Sequence, residues 1–383
     1  MNFLTGKYFR ITIILILVLS IKVYSADLEV PNMELITRSN FDTGIPVLTT
    51  RGKVDLLVGG GYKLGGSLTI GFNSADLGYS NVDPSTLAPA DLGTYLSNQT
   101  YLQFQSAQII IRDMFSNSTE FSYFIGKNNV LCSGDDFLNI FGSTPIATRY
   151  RGYLYFPDNE FNGIHTINGT GLKVSSNFGS DRNITSAYIY EDGYMGSGYF
   201  SSDIRTLFNF DKIKIESFLG ATYPASVYGL YRGGFLLNYS PGATGEFFAQ
   251  VGVPQWNPSE TFTMDRLFFL FEPRIKFNPV TIILTLFLHP GYYLQSTTDD
   301  SGSSEIHINF MIGETGESTF SGGIEGSTTY DSSATSNQFG IKVSPYLSAI
   351  TSGVIWNIML NTKLLPYSLN DMFEGVISVK AEF

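Results

Sequence analysis

The chain has 383 residues, a formal net charge of −11 and only 15% charged residues, against 31 Phe, 23 Tyr and 39 Gly. A soluble chain of this length ordinarily divides into domains with helices in at least one of them, yet no 15-residue stretch here carries a 3.6-residue apolar period. The acidic balance speaks against a nucleic-acid partner, and the single cysteine, Cys132, excludes a disulfide framework and receives no role.

The first element is an export signal. Lys7 and Arg10 precede an aliphatic run from Ile11 to Ile21, and Val23-Tyr24-Ser25-Ala26 supplies small residues for cleavage after Ser25. The run is well short of the ~20 residues a spanning helix needs, so 1–25 reads as a cleaved signal peptide and not an anchor. Residues 26–50 read as an N-terminal leader or periplasmic segment, and 51–383 as one domain.

Within that domain, apolar and polar residues alternate at 50–62, 66–73, 100–112, 119–126, 146–156, 164–176, 183–191, 198–210, 212–223, 229–239, 244–253, 264–277, 280–293, 305–313, 317–328, 338–348, 352–363 and 373–383. The later segments are the clearest. In 264–277, Leu267, Phe269, Phe271, Ile275 and Phe277 oppose Arg266, Glu272, Arg274 and Lys276. In 280–289, Val280, Ile282, Leu284, Leu286 and Leu288 oppose Thr281, Thr285 and His289. In 305–312, Ile306, Ile308, Phe310 and Ile312 oppose Glu305, His307 and Asn309; in 352–363, Val354, Trp356, Ile358 and Leu360 oppose Asn357, Asn361 and Lys363.

A soluble sandwich also alternates, but it rarely exceeds nine strands. A charge on a lipid-facing position at the bilayer midplane costs ~2–4 kcal/mol, so the charged face of 264–277 must look away from lipid. The fold class expected is all-β: a transmembrane antiparallel up-and-down barrel of about 18 strands, with a range of 16–20. Connections in the C-terminal part alternate long and short, as such barrels require. The alternation fails near 74–99 and 127–145.

The last segment makes a resemblance specific. Phe373, Gly375, Ile377, Val379, Ala381 and Phe383 share one face, against Glu374, Ser378, Lys380 and Glu382. A final amphipathic strand ending in Phe resembles the assembly signal of bacterial outer-membrane barrels, porins included, with Phe383 as the signal residue. The resemblance stays at the superfamily level; no particular porin family is matched. It implies an integral outer-membrane location and dealings with outer-membrane lipid and the barrel-assembly machinery. A homo-oligomer is left open.

Residues fit for catalysis are scarce. His289 and His307 share an inward face, His165 lies near a loop, and nothing around them resembles a hydrolase triad. Gly59-Gly60-Gly61 lacks the Lys-Ser/Thr ending of a phosphate loop, and Asp135-Asp136 and Asp299-Asp300 lack further regularly spaced oxygen ligands. No enzyme activity, cofactor or metal is expected.

Charge on the walls is more informative. By strand parity, 15 basic and eight acidic residues fall on polar faces or strand ends. Pore-lining candidates are Arg149, Arg151, Arg205, Lys212, Lys214, Arg266, Glu272, Arg274 and Lys276, with the cations forming ladders on a lumen wall. The segment 127–145, with Phe137, Leu138, Ile140 and Phe141, is either a constriction folded into the barrel or an unrecognised strand. The function expected is a water-filled pore for passive diffusion of small hydrophilic solutes, weakly anion-preferring. The alternatives are a surface adhesion or structural barrel and a substrate-specific transporter.

Overall fold

The computed structural model describes residues 27–42, 45–59, 63–75, 100–113, 118–133, 163–178, 180–242, 244–289, 303–313, 318–331, 339–369 and 372–382. They form eighteen strands: β1 (Asp27–Asp42), β2 (Ile45–Gly59), β3 (Leu64–Ala75), β4 (Thr100–Arg112), β5 (Thr119–Leu131), β6 (His165–Phe178), β7 (Ser180–Asp192), β8 (Phe200–Phe210), β9 (Ile213–Tyr223), β10 (Leu230–Gly242), β11 (Gly245–Trp256), β12 (Phe268–Phe277), β13 (Val280–His289), β14 (Ser303–Ile312), β15 (Phe320–Asp331), β16 (Phe339–Thr351), β17 (Val354–Leu365) and β18 (Phe373–Glu382). Each pairs antiparallel with the next, and β18 pairs with β1, so the sheet closes into an 18-stranded barrel with no free edge.

Closure sorts the side chains. The row Leu347, Ile358, Ile377 runs across three strands by register and is half exposed, on the outside. One residue along, the row Ser348, Asn357, Ser378 is buried, on the inside. The parity read for 280–289 holds: Thr281 and Thr285 are buried inside, together with Ile283 and Phe287. Outward aromatics gather towards both ends, with Phe178, Phe210, Phe277 and Trp356 at one and Phe200, Tyr223, Tyr231 and Phe339 at the other. An apolar belt between two aromatic girdles suits a hydrocarbon slab with polar borders.

One end carries the short connections, such as 211–212, 278–279 and 352–353; the other carries longer ones, such as 76–99, 132–164, 257–267 and 290–302. In the turn 352–353 both Ser352 (φ 53°) and Gly353 (φ 79°) are left-handed, the twist a two-residue hairpin needs.

One expectation is corrected. Residues 26–50 are no leader: β1 lies in the wall, with Met33 to Ser39 paired to Ala381 to Gly375 on one side and to Val54 to Leu48 on the other. Its alternation is hidden because Pro31 sits at a bulge between Glu29 and Asn32, and Ile36 faces in while Thr37 faces out. With β1 counted, 76–99 and 132–164 fall at the long-loop end, and the loop alternation is restored except at 43–44. The strand expected at 146–156 lies outside the described residues, and the wall closes without it because β5 pairs directly with β6. The proposed signal peptide 1–25 and Phe383 also lie outside the described residues.

Candidate channel constriction

The β5–β6 hairpin leaves the wall. Pairing of β5 with β4 stops at Gly126, and pairing of β6 with β7 begins at Gly169. These two glycines face each other in register, with φ of 85° and 153°. A Cβ at Gly126 would lie 2.1 Å from the Gln105 carbonyl oxygen, and one at Gly169 1.9 Å from that of Glu191, so only glycine permits the bend. Beyond it, Lys127 to Leu131 pair only with Asn168 to His165, across a bulge at Lys127/Asn129. Ile164 N–H then donates to Leu131 O at 2.9 Å.

The released hairpin crosses the inner face of β7 to β11. Tyr188 Oη donates to Asn129 Oδ1 at 3.2 Å, and Cys132 N–H donates to Glu216 Oε1 at 2.6 Å. Gln250 Nε2 donates to the Cys132 carbonyl. The His165 ring stacks on Phe218 at 6.3 Å, and its Nε2 lies 3.1 Å from Tyr190 Oη. The Ile164 Cδ1 rests on the bare backbone of Gly234 and Gly252. Leu131, Ile164 and Ile167 are fully buried among Phe124, Tyr188, Leu207, Leu236 and Phe248. Burying three aliphatic side chains is worth roughly 1.5–3 kcal/mol each. That is far above thermal energy, so the described part of the hairpin is a fixed obstruction and not a loose loop.

Acids and bases pair along the inner wall, beneath the hairpin on β8 to β10 and beyond it on β11, β12, β14, β15, β18 and β1. Arg205 Nε donates to Glu216 Oε1 at 2.8 Å, the same oxygen that holds Cys132. Arg232 grips Asp203 through both ends, Nε to Oδ1 at 2.7 Å and Nη2 to Oδ2 at 2.5 Å, and Thr222 through Nη1. Arg274 binds Glu272 at 2.6 Å and Glu246 at 3.0 Å, and Thr285 Oγ1 donates to Glu272 Oε2 at 2.8 Å. His307 stands between Glu305 at 2.8 Å and Glu325 at 3.1 Å, and Arg38 meets Glu374 at 2.7 Å.

Of the sequence-predicted lining, Arg205, Lys214, Glu272 and Arg274 are buried on the inner face, and Lys276 shares the parity of Arg274 at the short-turn end. The ladders are less complete than expected. Lys212 sits in the 211–212 turn. Arg266 belongs to a 3-10 turn, Met264–Arg266, in the 257–267 connection, paired with Glu260 away from Arg274. Arg149 and Arg151 lie outside the described residues.

The strand ranges carry 15 Lys and Arg but 18 Asp and Glu. The expected basic excess is absent from them. Missed were Glu34 and Arg38, hidden in the supposed leader, Glu325, whose strand is blurred by Gly322, Gly323 and Gly326, and the phenol Tyr190. The segment 127–145 divides: 127–131 extends β5, Cys132 and Ser133 lie buried inside the barrel, and 134–145 fall outside the described residues.

No protein-family model matches the chain, and no curated protein matches its sequence. Solved structures do match in shape. A variant of the porin of Rh. blastica aligns over 93% of this chain and 100% of its own, with a TM-score of 0.50 and 10% identity. Wzi, an Escherichia coli outer-membrane protein involved in group 1 capsule assembly and described as a carbohydrate-binding β-barrel, aligns over 96% of this chain and 87% of its own, at 0.53 and 10%. The fold is that of outer-membrane porin barrels. At this identity the likeness extends to the fold alone.

Proposed function

We propose that the protein is an outer-membrane channel through which small hydrophilic solutes diffuse passively, without catalysis. Barrels of 16–18 strands are wide enough to hold an aqueous path, whereas eight-stranded ones are filled by side chains. The observation that carries the reading is the β5–β6 hairpin turned into the barrel and docked on β7 to β11, which narrows the lumen from one side. On the sector the hairpin leaves, β14 to β18 and β1, the inner face is polar, with Asn309, Ser344, Ser348, Asn357, Asn361 and Ser378 turned inward and buried.

The ion preference is revised within this proposal. Weak anion preference rested on surplus basic residues, but the strand charges number 15 against 18 and Arg38, Arg205, Arg232 and Arg274 each pair with an acid on the inner wall, so selectivity should be slight and without anion bias. Export through cleavage after Ser25 and insertion by the barrel-assembly machinery, directed by Phe383, belong to the same proposal.

Liposome swelling with neutral sugars of increasing size tests it. Uptake should be fast for small sugars and fall off sharply with size. Liposomes holding folded protein that admit none of them would contradict it. A second reading, a substrate-specific channel, is favoured by apolar residues on that same inner sector: Ile36, Met311, Tyr346, Met359 and Val376. Saturable uptake of one solute class would select it.

A further inference from the structure

The outer surface of the barrel carries a groove at its long-loop end. It encloses about 600 Å³ and is lined chiefly by Leu219, Tyr231, Gly233, Val253, Trp256 and Phe262, with Gly220 and Arg232, whose guanidinium is held by Asp203, also against it and almost no polar surface exposed. Register explains its shape. Leu219, Gly233 and Val253 form one outward row across β9, β10 and β11, and Tyr231 and Trp256 are partners in a row nearer the rim. Gly233, without a side chain, leaves a gap between Leu219 and Val253; a Cβ there would approach Leu219 Cδ2 to 2.8 Å. Tyr231 is braced by Tyr223, whose ring meets it edge-on at 6.2 Å and whose hydroxyl bonds to its own. On the other side Phe262 folds back from the 257–267 connection and sets its ring perpendicular to Trp256 at 6.5 Å. That connection is itself tied down, since Glu260 accepts from both Asn257 Nδ2 and Arg266.

The groove is continuous with the apolar belt. Leu219 is 72% exposed, and Ile204 and Phe235 beside it also face outward. Water is a poor occupant because it needs two to four polar partners that this lining does not offer. An empty slot is no better, because its walls forfeit dispersion contacts. A second copy of the chain is disfavoured by scale, since a stable protein interface takes roughly 800 Å² per partner and this slot is set by a few side chains. We propose that the groove seats an acyl chain of an outer-leaflet lipid, closed over by Trp256 and Phe262. This rests on the reading that the outer face meets lipid. Bound lipid would then hold the 257–267 connection against the rim.

The two tryptophans supply the test. Trp256 lines the groove; Trp356 is exposed on the outer face at the opposite, short-turn end. Trp356→Phe leaves Trp256 as the reporter, and Trp256→Phe leaves Trp356. Folded protein would be placed in phosphatidylcholine vesicles with brominated acyl chains. Trp256 should be quenched strongly, and Gly233→Leu, which fills the slot, should cut that quenching severalfold without changing Trp356. Phe262→Ala, which lies outside every strand, serves as a second variant should Gly233→Leu fail to fold. In native mass spectrometry of detergent-purified protein it should retain less lipid than the wild type.

The proposal is overturned if Trp256 quenching is unaffected by Gly233→Leu or lipid retention is unaffected by Phe262→Ala. It is equally overturned if aqueous iodide quenches Trp256, or if Trp256 is shielded from both quenchers in a concentration-dependent way, which would indicate a second copy. Should Trp356 also escape the brominated lipid, the lipid-facing assignment itself fails. Quenching of Trp356 alone removes only the groove.

Discussion

If the β5–β6 hairpin sets the aperture, replacing Ile164 should release it. Ile164 is fully buried, with its Cδ1 against the backbone of Gly234 and Gly252. Ile164→Asp removes ~1.5–3 kcal/mol of apolar burial and places a carboxylate in an apolar site at a further cost of several kcal/mol. The remaining anchors are the burial of Leu131 and Ile167, roughly 3–6 kcal/mol together, the two hydrogen bonds of Cys132 to Glu216 and Gln250, and the weaker contacts of Asn129 with Tyr188 and of His165 with Tyr190 and Phe218, the hydrogen bonds being worth ~0.5–3 kcal/mol each. Loss and residue are of the same size, so the docked hairpin should spend a large fraction of time away from the wall. Ile164→Ala costs ~2–5 kcal/mol, which weakens docking at least ~30-fold but leaves the docked form in the majority. The wall pairs β4–β5 and β6–β7 end at Gly126 and Gly169, so neither change breaks the strand pairing that closes the barrel. Single-channel recording should show a larger, noisy conductance for Ile164→Asp and the wild-type level with brief upward excursions for Ile164→Ala. A folded Ile164→Asp barrel with wild-type conductance and noise would refute the constriction.

Three further outcomes are expected. Ile358→Arg, at a half-exposed position in the apolar belt, should lower stability by up to ~2–4 kcal/mol in a lipid refolding titration, whereas Tyr367→Arg, beyond the strand end, should cost little; equal losses would contradict the lipid-facing assignment. Glu272→Gln removes the carboxylate that Arg274 and Thr285 share inside the wall and should cost ~3–5 kcal/mol, with Glu272→Gln/Arg274→Met less destabilised than the single change; additive losses would mean the pair is not coupled. Deleting Phe383 should reduce membrane-integrated, protease-resistant protein far more than a comparable change in 294–304, and normal accumulation would end its role as an assembly signal.

Much of the wall was legible because each strand from β12 to β18 encodes its own facing: Leu284, Ile308 and Ile358 out, Thr285, His307 and Asn357 in. What failed was information no single strand holds. The pairs Arg205–Glu216 and Arg232–Asp203 join neighbouring strands, so their neutrality appears only once register is known, and a count of surplus cations overlooks it. β1 escaped because its bulge and the inward Ile36 break the two-residue period that identifies a membrane strand. The hairpin was ambiguous for a related reason. Leu131, Ile164 and Ile167 are apolar because they pack inside the barrel, and an apolar residue reads the same whether it meets lipid or protein. The opposed Gly126 and Gly169 mark the bend, but the pairing that sets them face to face spans 132–164 and is invisible in sequence.

Planar-bilayer recording of the purified, refolded protein under a KCl gradient tests the central claim most directly. Discrete, voltage-independent conductance steps with a reversal potential close to zero are the predicted result. Folded barrel that inserts without conductance steps would contradict the channel reading, and a reversal potential of strong anion or cation selectivity would contradict the mutual neutralisation of the inner-wall charges.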